Sequence, residues 1–189
     1  MAKQTPGMDS LLELHNVSLV YRAMPALCDL QWSIEPGQQW ACLGPNGSGK
    51  TSLARIISRQ ISHFSGEIKR SVPLEKNGVA YVCFEQAKAL CERDKKRDDS
   101  EFRADASDPG TPVQSLILGG RKPDDNFHRW TTRLQMNHFL HRGLRFISTG
   151  EMRKTLLVTA ILSEPALLIL DSPLDGLDHN SQEEMRKII

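Results

Sequence analysis

The sequence predicts an α/β fold in which helices cover a parallel sheet, and three observations predict it. Gln39-Trp40-Ala41-Cys42-Leu43 is a short apolar run with the character of a buried strand. It leads into the glycine-rich run Gly44-Pro45-Asn46-Gly47-Ser48-Gly49-Lys50-Thr51, and Ser52–Ile57 follows with the apolar spacing of a helix. A second apolar run, Ala166–Leu170, has the character of a fully buried parallel strand and ends in an acid, Asp171.

The chain has 189 residues, 39% apolar content and a net charge of +1. That is enough for one packed α/β domain and too little for two of ordinary size. A charge this close to neutral gives no support to nucleic-acid binding, and none is expected. No stretch approaches the roughly 18 apolar residues of a membrane span, and Met1–Gly7 lacks an apolar signal core, so a cytoplasmic placement is expected. Cys28, Cys42, Cys83 and Cys91 have neither C-x-x-C nor zinc-finger spacing and read as small buried or half-buried thiols.

Residues 1–10 read as a flexible N-terminus. From Leu12 to Ile34, Leu14, Val17, Leu19 and Tyr21 interleave with polar residues as short β runs, and Glu35-Pro36-Gly37 makes a turn. In the run Gly44–Thr51 the glycines let the backbone wrap so that successive N–H groups converge on a phosphate. Lys50 adds a charge toward the β and γ phosphates, and the Thr51 hydroxyl suits a magnesium ion. With all fixed positions of G-x-x-x-x-G-K-[ST] filled, the chain is expected to bind ATP and Mg²⁺.

Gly66–Ile68 and Val79–Phe84 read as further strands, with Gln86 just beyond, able to reach the metal or its water. Residues 92–109 carry both charge signs and few apolar side chains and read as a solvated, mobile insertion. Thr111-Pro112 reads as an N-cap and first helical residue, opening a helix that Gly119-Gly120 stops; Phe127, Trp130, Leu134 and Met136 mark another.

Ser148-Thr149-Gly150-Glu151 has capping-box spacing and opens a helix that Pro165 must end. Such a capped N-terminus is also a ready phosphate site. Asp171 is where a parallel sheet delivers a carboxylate to a nucleotide's magnesium. His179 reads as a loop residue, and none of the histidines has metal-ligand spacing. Ser181–Ile189 reads as a capped amphipathic helix.

Tyr21, Gly44–Thr51, Gln86, Ile147–Glu151, Leu167–Asp171 and Asp175-Gly176-Leu177-Asp178, in that order, resemble the nucleotide-binding domain of the ABC superfamily. The resemblance covers the chain from about Leu11 onward. It implies a P-loop NTPase fold with a RecA-like parallel sheet core, an N-terminal antiparallel β subdomain and a small helical subdomain at about residues 111–163. It also implies that Tyr21 stacks on adenine, that Gln86 senses magnesium and a partner, and that Ser148, Thr149, Gly150 and Glu151 cap ATP held by another domain. Asp175–Asp178 would be the dimer-contact loop. The implied partners are a second ABC domain and a membrane permease, which would hold the chain at the inner face of the membrane. The Ser-Thr-Gly-Glu form, with Met152–Leu157, more narrowly resembles the tandem ModF-type proteins associated with molybdate transport.

Two departures qualify the ATPase activity that the resemblance implies. Ser172 stands where the family usually has a glutamate that polarises the attacking water, and losing a positioned base costs about 10²–10⁴-fold in rate. The family's switch histidine has no counterpart before Ile189, so the domain reads as C-terminally incomplete. ATP binding with little hydrolysis is therefore expected, in a transport component or, as an alternative, in a soluble regulator or degenerate fragment.

Overall fold

The computed structural model describes residues 10–96, 109–177 and 179–186. Residues 1–9 of the expected flexible terminus, 97–108 of the expected insertion, and Asp178 lie outside them. The chain divides into two compact units, Met1–Tyr81 with Pro165–Ile169 and Val82–Glu164 with Leu170–Ile189.

The first unit is built on an antiparallel sheet of order β2-β1-β3, from β1 (Leu12–Tyr21), β2 (Met24–Ile34) and β3 (Ser65–Arg70). Leu12, Leu14, Val17 and Leu19 of β1 are buried, a spacing that breaks strict alternation between Leu14 and Val17. The break is a register shift at which Asn16 turns left-handed (φ 51°), returning the apolar side chains to one face. Arg22 and Ala23 both have positive φ (45° and 68°), the twist that a tight hairpin needs.

Helix α1 (Lys50–Ile57) buries Ala54, Ile56 and Ile57 in the same core, which also takes Leu167 and Ile169. Helix α2 (Val72–Asn77) was not foreseen. Its signal was in the sequence: Ser71 caps it by accepting the Leu74 N–H at 3.3 Å, and Pro73 sits in the first turn.

Strands β4 (Val79–Val82) and β5 (Leu167–Leu170) form a second, two-stranded sheet. The Gly78 carbonyl accepts from the Ala166 N–H (3.1 Å) and the Val82 carbonyl from the Asp171 N–H (2.9 Å), so the two strands run parallel. β5 is half-buried along its length, where full burial was expected. β4 also ends two residues earlier than expected, because Phe84 already begins a helix.

A larger correction concerns Gln39–Leu43, which forms no strand and is exposed, Trp40 at 57% and Leu43 at 92%. Among the described residues β4 and β5 pair only with each other. An extended apolar segment with no ladder partner has neither hydrogen bonds nor cover to hold it as a buried strand.

The second unit is helical: α3 (Phe84–Lys95), α4 (Val113–Leu118), α5 (Asp125–Arg133), a 3₁₀ turn (Leu144–Phe146), α6 (Thr149–Ile161) and α7 (His179–Arg186). Val113, Ile117, Phe127, Leu134, Met136, Phe139 and Val158 fill its core. Pro112 itself is the N-cap of α4, with no side-chain cap bond, so the Thr111 cap is corrected; Gly119 ends the helix in a left-handed conformation as expected. His179 opens α7 and is not a loop residue. Cys28 and Cys42 are exposed, while Cys83 and Cys91 are half-buried.

The first residues of the expected insertion are also corrected. Glu92–Lys95 continue α3, and Asp94 is buried, 3.2 Å from the Arg145 Nε, with its Oδ1 accepting the Thr111 N–H at 2.9 Å. An acid facing a buried arginine is held inside, whatever its neighbours' composition.

Candidate functional site: the glycine-rich loop and the capped helix

Gly44–Ser48 is exposed irregular backbone leading into α1. Gly49 takes the N-cap position at φ 90°, and no side chain caps the helix. The first N–H groups of α1 therefore have no intrahelical acceptor and face outward as donors. A Cβ on Gly49 would stand 2.4 Å from the Ala26 carbonyl oxygen and 2.9 Å from Leu27 Cδ2, so the close approach of loop and β2 requires glycine.

Lys50 Nζ donates to the Gly44 carbonyl at 2.8 Å and the Pro45 carbonyl at 2.9 Å, with Ser48 Oγ at 3.4 Å. The loop thus curls around its own ammonium group. Backbone donors, a lysine held over them and the exposed Thr51 hydroxyl suit a magnesium-bound polyphosphate: the donors match anionic oxygens and the hydroxyl a hard cation. Tyr21, in the same unit, ends β1 and is 42% exposed, available for a planar ring.

In the second unit Ser148 is the N-cap of α6, with a complete capping box. Ser148 Oγ accepts the Glu151 N–H at 3.2 Å, and Glu151 Oε2 accepts the Ser148 N–H at 2.7 Å. Thr149 is exposed and Gly150 half-buried in the first turn. Glu151 Oε1 lies 3.4 Å from His138 Nε2 and 3.7 Å from Arg142 Nη1. Burial opposes the Glu151 charge, but the Ser148 N–H and hydroxyl, with Arg142 and His138, outweigh it and hold the carboxyl below the usual range.

Gln86 is not a free reach beyond a strand. It is the third residue of α3, half-buried, with Oε1 accepting the Cys83 N–H at 3.2 Å. Asp171 is half-buried just past β5, and Ser172 beside it is exposed with φ 50°, in the left-handed region. Ser172, Asp171, Cys83 and Arg153 line one open, mostly apolar pocket.

Arg153 is the residue that sequence reasoning missed. Only 8% exposed, it donates from Nη1 to the Ser172 carbonyl (3.2 Å) and the Pro173 carbonyl (2.8 Å). Burial lowers its pKa, and Asp175 pulls the other way. The available signal was a cation on the helical stripe of Leu156 and Leu157, three and four residues on. Among the described residues no three His, Cys, Asp or Glu side chains cluster as a ready-made metal site, and no helix is long and apolar enough to cross a membrane.

Comparison with known proteins agrees with this geometry. The ABC transporter family pattern matches residues 27–175. The ABC transporter ATP-binding protein ModF of Escherichia coli is 32% identical over 156 residues, which is 82% of this chain and 31% of ModF. The zinc import ATP-binding protein ZnuC of Alkalilimnicola ehrlichii is 29% identical over 95% of this chain and 62% of its own length. The chain therefore spans about a third to under two thirds of these relatives. A nucleotide-free ATP-binding cassette from an ABC transporter superposes with a TM-score of 0.69 at 17% identity, over 95% of this chain and 75% of that one. The ADP conformation of another ATP-binding cassette of an ABC transporter superposes at 0.66, also at 17% identity, over 94% and 74%. A loop wrapped round its lysine, a capped helix carrying Ser-Thr-Gly-Glu and a family match across most of the sequence converge: the chain belongs to the ABC transporter family and has the fold of its ATP-binding domain.

Proposed function

We propose that the chain is the ATP-binding component of an ABC-type transport system and binds Mg·ATP on Gly44–Thr51. The observation that carries this reading is the uncapped N-terminus of α1 with Lys50 Nζ on the Gly44 and Pro45 carbonyls. Phosphate oxygens would take the backbone donors of Gly44, Asn46, Gly47, Ser48 and Gly49, Pro45 having no N–H to give, and exchange the lysine from carbonyl oxygens to anionic ones, a stronger charge-assisted bond. Tyr21 would stack on the base.

Bound magnesium would supply charge neutralisation on the β and γ oxygens. The Thr51 hydroxyl and the Asp171 carboxylate are hard oxygen donors of the kind magnesium takes, and the Gln86 amide oxygen would become a third once its Cys83 bond is released. Ser148, Thr149, Gly150 and Glu151 would face ATP held by a second ABC domain. That partner, a membrane permease and a cytoplasmic site of work belong to the same reading, as does a helical subdomain at about residues 111–163.

Molybdate-associated transport is supported by Ser-Thr-Gly-Glu and the 32% identity with ModF; zinc import is the competing solute, from the ZnuC relatives. A second reading, an ATP-binding regulator or remnant with little hydrolysis, is favoured by Ser172, a side chain that is not ionised at neutral pH.

Calorimetric titration with ATP, ADP and AMP tests the loop assignment. ATP and ADP, which carry a β-phosphate, should bind and AMP should not. Equal affinity for all three contradicts it.

A further inference from the structure

The turn after β5 is poorly held by its own backbone. The Asp171 N–H is fixed to the Val82 carbonyl at 2.9 Å. Beyond it, Ser172 is left-handed, Pro173 has no N–H to give, and the bonds Asp175 N–H to Ser172 carbonyl and Leu177 N–H to Leu174 carbonyl are long, 3.3 and 3.4 Å. Shorter ties come from outside. Gln182 Nε2 on α7 reaches the Leu177 carbonyl at 3.0 Å, and Arg153 Nη1 on α6 reaches the Pro173 carbonyl at 2.8 Å and the Ser172 carbonyl at 3.2 Å.

The second terminal nitrogen of Arg153 also lies near this turn. A Cβ built on Gly176 would stand 3.8 Å from Arg153 Nη2, and Asp175 favours the Arg153 charge. A buried arginine whose Nη1 donates to two consecutive carbonyls ties two adjacent peptide units of the turn to one helix.

We infer that Arg153 is a positioning residue: through the Ser172 and Pro173 carbonyls it locks the turn that carries Asp171 to α6, and so sets where the Asp171 carboxylate stands. This rests on the proposed reading of Asp171 as a magnesium carboxylate. Outer contacts that orient a metal-binding carboxylate act on metal affinity through that ligand. Because α6 also carries the Ser148–Glu151 cap, one rigid helix connects the capping turn with the acid.

The test compares the wild-type chain with Arg153→Met and Arg153→Lys, using Mn²⁺ as the spin probe. Mn²⁺ affinity is measured by electron paramagnetic resonance with saturating ATP, ATP affinity separately in chelator, and amide hydrogen exchange at residues 174–177 against α4 as a control. Arg153→Met should weaken Mn²⁺ by about 10–100-fold and speed exchange in the turn, with metal-free ATP affinity and α4 exchange unchanged. Arg153→Lys, which keeps the charge on a stem one bond shorter than Nη1, should fall between.

Wild-type Mn²⁺ affinity in folded Arg153→Met overturns the inference, and so does an equal loss of metal-free ATP affinity, the mark of a merely structural role. If Arg153→Met does not fold, Arg153→Lys decides: intermediate Mn²⁺ affinity supports the inference and wild-type affinity overturns it. A wild-type chain that takes up no Mn²⁺ overturns the magnesium reading together with the inference.

Discussion

The Asp94 carboxylate of α3 and the Arg145 guanidinium in the 3₁₀ turn before Ser148 lie 3.2 Å apart with side chains only 4% and 11% exposed. The pair is close enough for strong attraction but is not aligned as a hydrogen bond, so it acts chiefly through charge. Asp94→Ala would leave a buried cation and strip the Thr111 N–H of its acceptor, and should cost about 3–5 kcal/mol. Replacing both residues by apolar side chains of similar size should recover most of that loss. Urea unfolding of the single and double variants measures the difference.

The α6 cap should respond to acid. Because the folded Glu151 carboxyl is lower than the ordinary glutamate value, its contribution is fully present above that ordinary value and is lost as pH falls through the native one. Glu151→Gln retains an acceptor for the Ser148 N–H but not the attraction of His138 and Arg142. The wild-type excess in melting temperature over Glu151→Gln should therefore shrink between pH 6 and pH 3, taken as about three units spanning the carboxylate range. Ser148→Ala should cost about 1 kcal/mol at neutral pH, where the whole box is intact.

Two loop glycines separate steric demand from backbone demand. Gly49→Ala meets the Ala26 carbonyl and a left-handed φ together, whereas Gly47→Ala, at φ 82°, meets nothing within 4 Å. Gly47→Ala should cost about 1–2 kcal/mol from its φ alone, and Gly49→Ala clearly more, with loss of ATP binding. Denaturation and nucleotide titration of both variants check the order.

The sequence carried the parts of the site whose roles are local. Gly44–Thr51 is a backbone device, Ser148–Glu151 a cap and Pro165 a stop, and each acts within a few residues of its own position. What was not legible depends on distant neighbours. Gln39–Leu43 has strand composition, but strands need partners that composition does not supply. Gln86 turned inward because Cys83 offered an N–H. Asp94 looked like one more charge in a charged stretch until Arg145, fifty-one positions on, paired with it. Arg153 follows the same rule, since its acceptors lie on a turn beyond β5.

Hydrolysis should be slow, because the Ser172 hydroxyl stays protonated at neutral pH where the family usually has a carboxylate. Phosphate release should fall far below the enzyme median of roughly 10 s⁻¹, and Ser172→Glu should raise it at least about tenfold, toward the gain typical of a positioned base. Fast release by the wild-type chain contradicts the low-hydrolysis reading, as does no gain in a variant that binds ATP normally.

The most direct measurement of the central claim is an equilibrium titration of Mg·ATP into the wild-type chain and Lys50→Ala, with Tm recorded for both. Among the described residues Lys50 Nζ holds exposed loop carbonyls and the Ser48 hydroxyl, so its removal should leave Tm within a few degrees, about what 1 kcal/mol of destabilisation would shift. Binding to the wild type should be saturable, with at least about a hundredfold loss in Lys50→Ala, the scale of two strong charge-assisted bonds. Equal affinity in the two chains would contradict the assignment of Gly44–Thr51 as the nucleotide site.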